Sequence, residues 1–212
     1  MNWTDVGEIL RIAGAVATGG AACVGAYVAI RGLRKWQEET VGKRRAEIAE
    51  EVLSSFLHVR KIFNAVRART LRVGEGSSRS PEPHETHDLK KQRDRYYVVI
   101  ERLATAEDQF TNLDKLRYVF EAYFGKDAAK PFEIIDEVYT TIGASAEILI
   151  QIALANPTEK DREKEMPLRN ALGWGEAKRP DDIDKRLDDA VRSIELTCRP
   201  ALAERISRPF KT

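Results

Sequence analysis

Cysteine is scarce: Cys23 and Cys198 are the only two, one inside an apolar run and the other in a charged stretch. A disulfide framework is therefore excluded, and both are read as reduced thiols. Charge of one sign is also missing, because 35 Lys and Arg stand against 34 Asp and Glu for a net charge of +1. No global basic field exists to recruit nucleic acid, which is disfavoured as a partner. The chain has three histidines, His58, His84 and His87. His84 and His87 lack the His-Glu-x-x-His spacing that fixes two ligands on one helix face, so no metal site is expected. His58 has only Ser54 one turn before it and no oxyanion-forming glycine motif, so no hydrolase site is read there.

Phosphate loops are absent too. Gly42-Lys43 and Gly125-Lys126 lack the spaced preceding glycine and the following Ser or Thr, and Gly173-x-Gly175 stands alone. The paired Glu-x-x-His ligands of a di-iron bundle do not occur, and no alternating apolar pattern argues for a sheet. No cofactor and no catalytic residues are expected. What remains is a chain that is 42% hydrophobic and 33% charged, a balance that folds.

From Ile12 to Ile30 there is no charged residue, and nineteen residues is the length a helix needs to cross a bilayer. The run is rich in Ala and Gly, so its insertion energy is marginal. Four glycines, Gly14, Gly19, Gly20 and Gly25, would each cost about 1 kcal/mol in a soluble helix relative to Ala, which favours the membrane reading. Ala13, Ala17, Ala21, Gly25 and Ala29 recur at every fourth position and form a smooth stripe suited to close helix association in lipid. Arg31, Arg34, Lys35, Lys43, Arg44 and Arg45 follow, opposed by Glu38 and Glu39. The positive-inside rule then places the C-terminal side in the cytoplasm, with Trp36 near the headgroups.

Beyond the anchor, apolar residues advance by threes and fours at Ile48, Val52, Phe56, Val59, Phe63 and Val66, which predicts a long amphipathic helix. Gly74 to Pro83 has turn chemistry and is expected to be an exposed, mobile loop. A second long helix should begin near residues 85–89 and run to Gly125, loosened at 108–112. A third should open at Pro131 and stop before Pro157. Residues 158–180 read as an irregular connection that tucks Trp174 against the bundle, and a final helix should start near Pro180 and kink or restart at Pro200. The expected fold is all-α: a single transmembrane helix followed by an antiparallel bundle of about four long helices. The expected division is an anchor and basic flank at 1–35 and a cytoplasmic bundle at 36–212.

One basic group could meet an anionic partner: Arg67, Arg69, Arg72, Arg79, Lys90, Lys91 and Arg93. The segment from Tyr118 to Phe132 (YVFEAYFGKDAAKPF), with Gly42 to Leu53 (GKRRAEIAEEVL), resembles uncharacterised bacterial proteins that carry an N-terminal anchor and a helical cytoplasmic domain. That resemblance implies a single-pass protein of the inner membrane and no particular activity. The expected function is a membrane-tethered, non-enzymatic interaction or scaffolding protein, with a protein partner or self-association. Two alternatives stand beside it: a membrane-linked stress or phage-defence effector with a site between helices, and a binder of nucleic acid or anionic lipid through the arginine-rich group.

Overall fold

A computed structural model of the chain describes the backbone of residues 3–154 and 159–207 and the side chains of residues 27–153 and 163–203. Among the described residues there are six α-helices, a 3₁₀ turn and no strand: α1 Trp3–Val66, α2 His87–Thr105, α3 Glu107–Phe124, the turn Asp127–Ala129, α4 Lys130–Leu154, α5 Glu159–Ala171 and α6 Asp182–Ser207. The chain is all-α and its helices form a bundle. It divides into two units, Met1–Arg45 and Ala46–Thr212, and the boundary falls within α1.

Unit 2 is built on helical stripes. Ile48, Val52, Phe56, Val59, Phe63 and Val66 of α1 are all buried, as the spacing predicts. The stripe of α4, Phe132, Ile135, Val138, Ile142, Ala146 and Leu149, is buried equally, and α4 packs against α2, α5 and α6. Each such Val, Ile, Leu or Phe contributes about 1.5–3 kcal/mol on leaving water. Aromatic edges join the stripes: Phe56 meets Phe132 edge-on at 4.8 Å between centroids, and Phe132 meets Phe120 of α3 at 5.6 Å.

The expected second helix is two helices, parted at Ala106, whose φ of −99° and ψ of 5° leave the α region. Thr105 donates its hydroxyl back to the Glu101 carbonyl at 2.8 Å, a bond that competes with the helix ladder. Glu107 and Asp108 then sit in the first turn of α3, where carboxylates suit the helix dipole. The break also brings Phe110 against Phe63, at 5.2 Å, and Tyr139, at 4.7 Å.

The connection expected to be irregular at 158–180 contains α5. Its charged residues are good helix formers with i,i+4 partners, such as Glu165 and Arg169 at 3.5 Å, and Leu168 and Ala171 pack on the core. The final helix continues across Pro200 without a restart. Cys198, Ala201 and Leu202 pack on the core on either side of it, which offsets the lost backbone bond.

The loop after α1 is pinned rather than free. Glu101 accepts from the backbone N–H of Gly76 at 2.6 Å and from Ser78, and Arg79 is buried between Glu85 and Asp94, at 2.8 Å from each. Gly76 has a φ of +84°, and a Cβ there would strike the Asp94 carbonyl, so the turn requires glycine. The cation at the C-terminus of α1 comes from α2. Arg102 donates to the carbonyls of Ala65, Val66, Ala68 and Thr70 at 2.7 to 3.3 Å and pairs with Glu75 at 2.6 Å.

Unit 1 belongs to α1. Its described side chains, from Tyr27 to Arg45, are exposed apart from the half-buried Gly42. Among the described residues no helix is long and apolar enough to cross a membrane. The expected span at 12–30 lies, through residue 26, outside the residues whose side chains are described, as do Cys23 and Ala13, Ala17, Ala21 and Gly25 of the small-residue stripe. Ala29, the stripe's last member, is exposed.

Candidate ligand cleft

The seven basic residues singled out from the sequence do not form one patch. Arg67 is fully buried and every nitrogen of its guanidinium is engaged: it donates to the carbonyls of Ala171 and Asn170 and pairs with Asp181 at 2.5 Å and Asp184 at 3.1 Å. Arg69 donates to the carbonyls of Gly173 at 2.9 Å and Gly175 at 2.6 Å. Arg79, Lys90 and Arg93 gather around two acids. Arg79 and Arg93 share Glu85, while Arg79 and Lys90 share Asp94. Burial opposes the charge on Glu85, but hydrogen bonds from Arg79 and Arg93 outweigh it and hold the carboxyl below its usual range. Arg72 and Lys91 remain exposed.

Arg67 and Arg69 therefore build a turn rather than a binding face. At the end of α5 the backbone N–H groups of Trp174 and Gly175 both return to the Arg169 carbonyl, at 2.8 and 3.0 Å. Gly173 takes a φ of +73° beside the Arg67 carbonyl, where a side chain would be crowded. The turn delivers Trp174 to the bundle with its ring nitrogen donating to the Ala68 carbonyl at 3.3 Å. The expectation that Trp174 packs against the bundle agrees with its 6% exposure.

Trp174 forms one wall of an open cleft of about 340 Å³ lying wholly within unit 2. One side of α2 supplies Asp88, Lys91, Gln92, Arg95 and Tyr96, and α5 supplies Glu165 and Arg169 across from them. The Tyr96 and Trp174 rings stack at 6.2 Å and 23°, and the Arg95 guanidinium lies over the indole, 5.5 Å from its centroid. Arg169 pairs with Glu165, yet its buried Nε meets no acceptor among the described residues. Burial pushes the Tyr96 hydroxyl above its ordinary range, and it stays a neutral donor 3.5 Å from Glu165.

Lys91, from the sequence-derived group, is in the cleft, but Arg95, Arg169 and Trp174 come together only through folding. The one local signal was Lys91 and Arg95 at i,i+4, a like-charge pair that an isolated helix disfavours. Elsewhere, His58 and Ser54 are exposed on α1, His84 is exposed in the turn before α2, and His87 is exposed at its first residue. Among the described residues no group of three or more His, Cys, Asp or Glu side chains is placed to hold a metal. Burial pushes the Cys198 thiol up to about 11, which keeps it from acting as a thiolate.

Fold and cleft define the class: an all-α helical unit carrying a lightly cationic, aromatic-walled recess. No protein-family model, curated protein or solved structure matches the chain.

Proposed function

We propose that this chain is a membrane-tethered, non-enzymatic interaction or scaffolding protein of the bacterial inner membrane, with unit 2 on the cytoplasmic side. One observation carries the reading. Tyr27, Val28, Ile30, Leu33 and Trp36 are more than half exposed on consecutive turns of α1, interleaved with Arg31, Arg34 and Lys35. Contiguous bare apolar side chains on a helix are costly in water. Aromatic rings and basic side chains at the cytoplasmic end of an uncharged run suit the lipid headgroup layer. The uncharged run at 12–30 would then cross the bilayer, and the stripe at Ala13, Ala17, Ala21, Gly25 and Ala29 would let two copies associate.

Fractionation tests this reading. The full chain, expressed in bacteria, is expected in the membrane pellet after an alkaline carbonate wash. Val16→Arg combined with Val24→Arg adds about 2.5–3.5 kcal/mol per charge to insertion and is expected to move the chain to the soluble fraction. Its helical circular dichroism should be retained. A wild-type chain found soluble would remove the tether and the function built on it.

A further inference from the structure

The cleft in unit 2 is unused by the tether, and its chemistry does not depend on that reading. Lys91 and Arg95 stand one turn apart on α2, and neither has an ion-pair partner among the described residues, although nearly every other described arginine of unit 2 near them is paired. A folded surface normally relieves such a like-charge pair with a neighbouring carboxylate. Here the neighbour across the cleft is a third cation, Arg169. Of the two carboxylates in the recess, Glu165 is engaged by Arg169, and Asp88 lies in the first turn of α2, where the helix dipole accommodates it.

The opposite character is flat and apolar. Tyr96 and Trp174 form a stacked, buried pair, and the planar guanidinium of the exposed Arg95 lies over the indole, so that its outer face completes the flat side of the recess. A planar ring with an anionic group attached satisfies both halves of the cleft. The ring lies along the flat wall, and the anion meets the Lys91 ammonium and the free donors of Arg95 and Arg169. At about 340 Å³ the recess is at the small end of the roughly 300–1,000 Å³ of small-molecule sites, which suits one nucleotide unit rather than a dinucleotide.

We infer that the cleft between α2 and α5 binds a nucleoside monophosphate, with Lys91, Arg95 and Arg169 on the phosphate and the Tyr96–Trp174–Arg95 wall on the base. The site makes no covalent change in the ligand; it recognises and holds it.

The test uses the full chain in mild detergent, with Trp3→Phe and Trp36→Phe so that emission reports on Trp174 alone, and equilibrium dialysis as a readout independent of fluorescence. The probes are AMP, adenosine, ribose 5-phosphate and inorganic phosphate. AMP is expected to bind saturably and more tightly than the other three. Lys91→Ala and Arg95→Ala should each weaken it about tenfold, the effect of losing one charge-assisted hydrogen bond. Lys91 is exposed and outside the ion-pair networks, so Lys91→Ala should melt with the parent and separates lost binding from lost fold. No saturable AMP binding by dialysis up to millimolar concentration overturns the inference. So does adenosine matching AMP, which removes the phosphate contact, or inorganic phosphate matching AMP, which removes the base. Failure here leaves the carbonate result untouched, and a soluble chain that binds AMP would sink only the tether.

Discussion

Arg67→Ala is expected to be the most damaging single substitution in unit 2, lowering stability by about 3–5 kcal/mol, the range for removing one partner of a buried ion pair. For a chain of this size that is a fall of roughly 10 °C in melting temperature. The reason is local. Arg67 joins the end of α1, the end of α5 and the start of α6 through one guanidinium, by way of the Asn170 and Ala171 carbonyls, Asp181 and Asp184. Without it two carbonyls at the end of α5 lose their donor and Asp181 loses its short partner. Asp184 keeps Arg179 at 2.6 Å and Arg60 at 3.6 Å. A thermal melt followed by circular dichroism measures the loss, and a wild-type melting temperature would contradict the role.

The same network sets an acid limit. Burial opposes the charge on Asp184, but the hydrogen bonds from Arg179 and the Asp181 N–H, and the charges of Arg67 and Arg179, outweigh it and hold the carboxyl at about 2 against an ordinary 3.8. A depressed folded-state value means that the stabilising contribution is complete above the ordinary value. It is lost as pH falls from about 3.8 toward 2. Unfolding on acidification should therefore sharpen in that window, and Asp184→Asn should flatten it while lowering stability at neutral pH.

Phe132→Ala is expected to cost about 3–5 kcal/mol, as large-to-small changes at buried aromatic positions do. Phe132 opens α4 behind the buried Pro131 and touches Phe56 of α1 and Phe120 of α3, so truncation opens a void where three helices meet. Phe132→Leu should recover more than half of the loss. A double-mutant cycle with Phe56→Ala should show coupling of about 0.5–1.5 kcal/mol, the added value of an edge-to-face pair. Additive losses would mean that the two rings merely share a core.

The stripe of α1 was readable because a period of three and four is written in consecutive residues and burial follows it directly. Pro131 and Gly125 marked the α3–α4 turn for the same reason: backbone chemistry is local. Helix α5 was hidden because a charged segment with a proline reads as a loop until Leu168, Ala171 and Leu172 find a core to bury against. Arg67, Arg79 and Arg93 read as surface cations because their partners cannot be seen beside them. Asp181 and Asp184 lie more than a hundred residues from Arg67, and only the packing of α6 against the α1 terminus joins them. The cleft has the same origin, since Lys91, Arg169 and Trp174 sit on three separate stretches and meet only when α5 folds and Arg69 fixes the turn after it.

The most direct test of the tethered reading uses protease on sealed vesicles from bacteria expressing the full chain. In inside-out vesicles unit 2 should be digested, while in right-side-out vesicles it should survive until detergent is added. Protection of unit 2 in inside-out vesicles, or recovery of the chain without any vesicle association, would contradict the account.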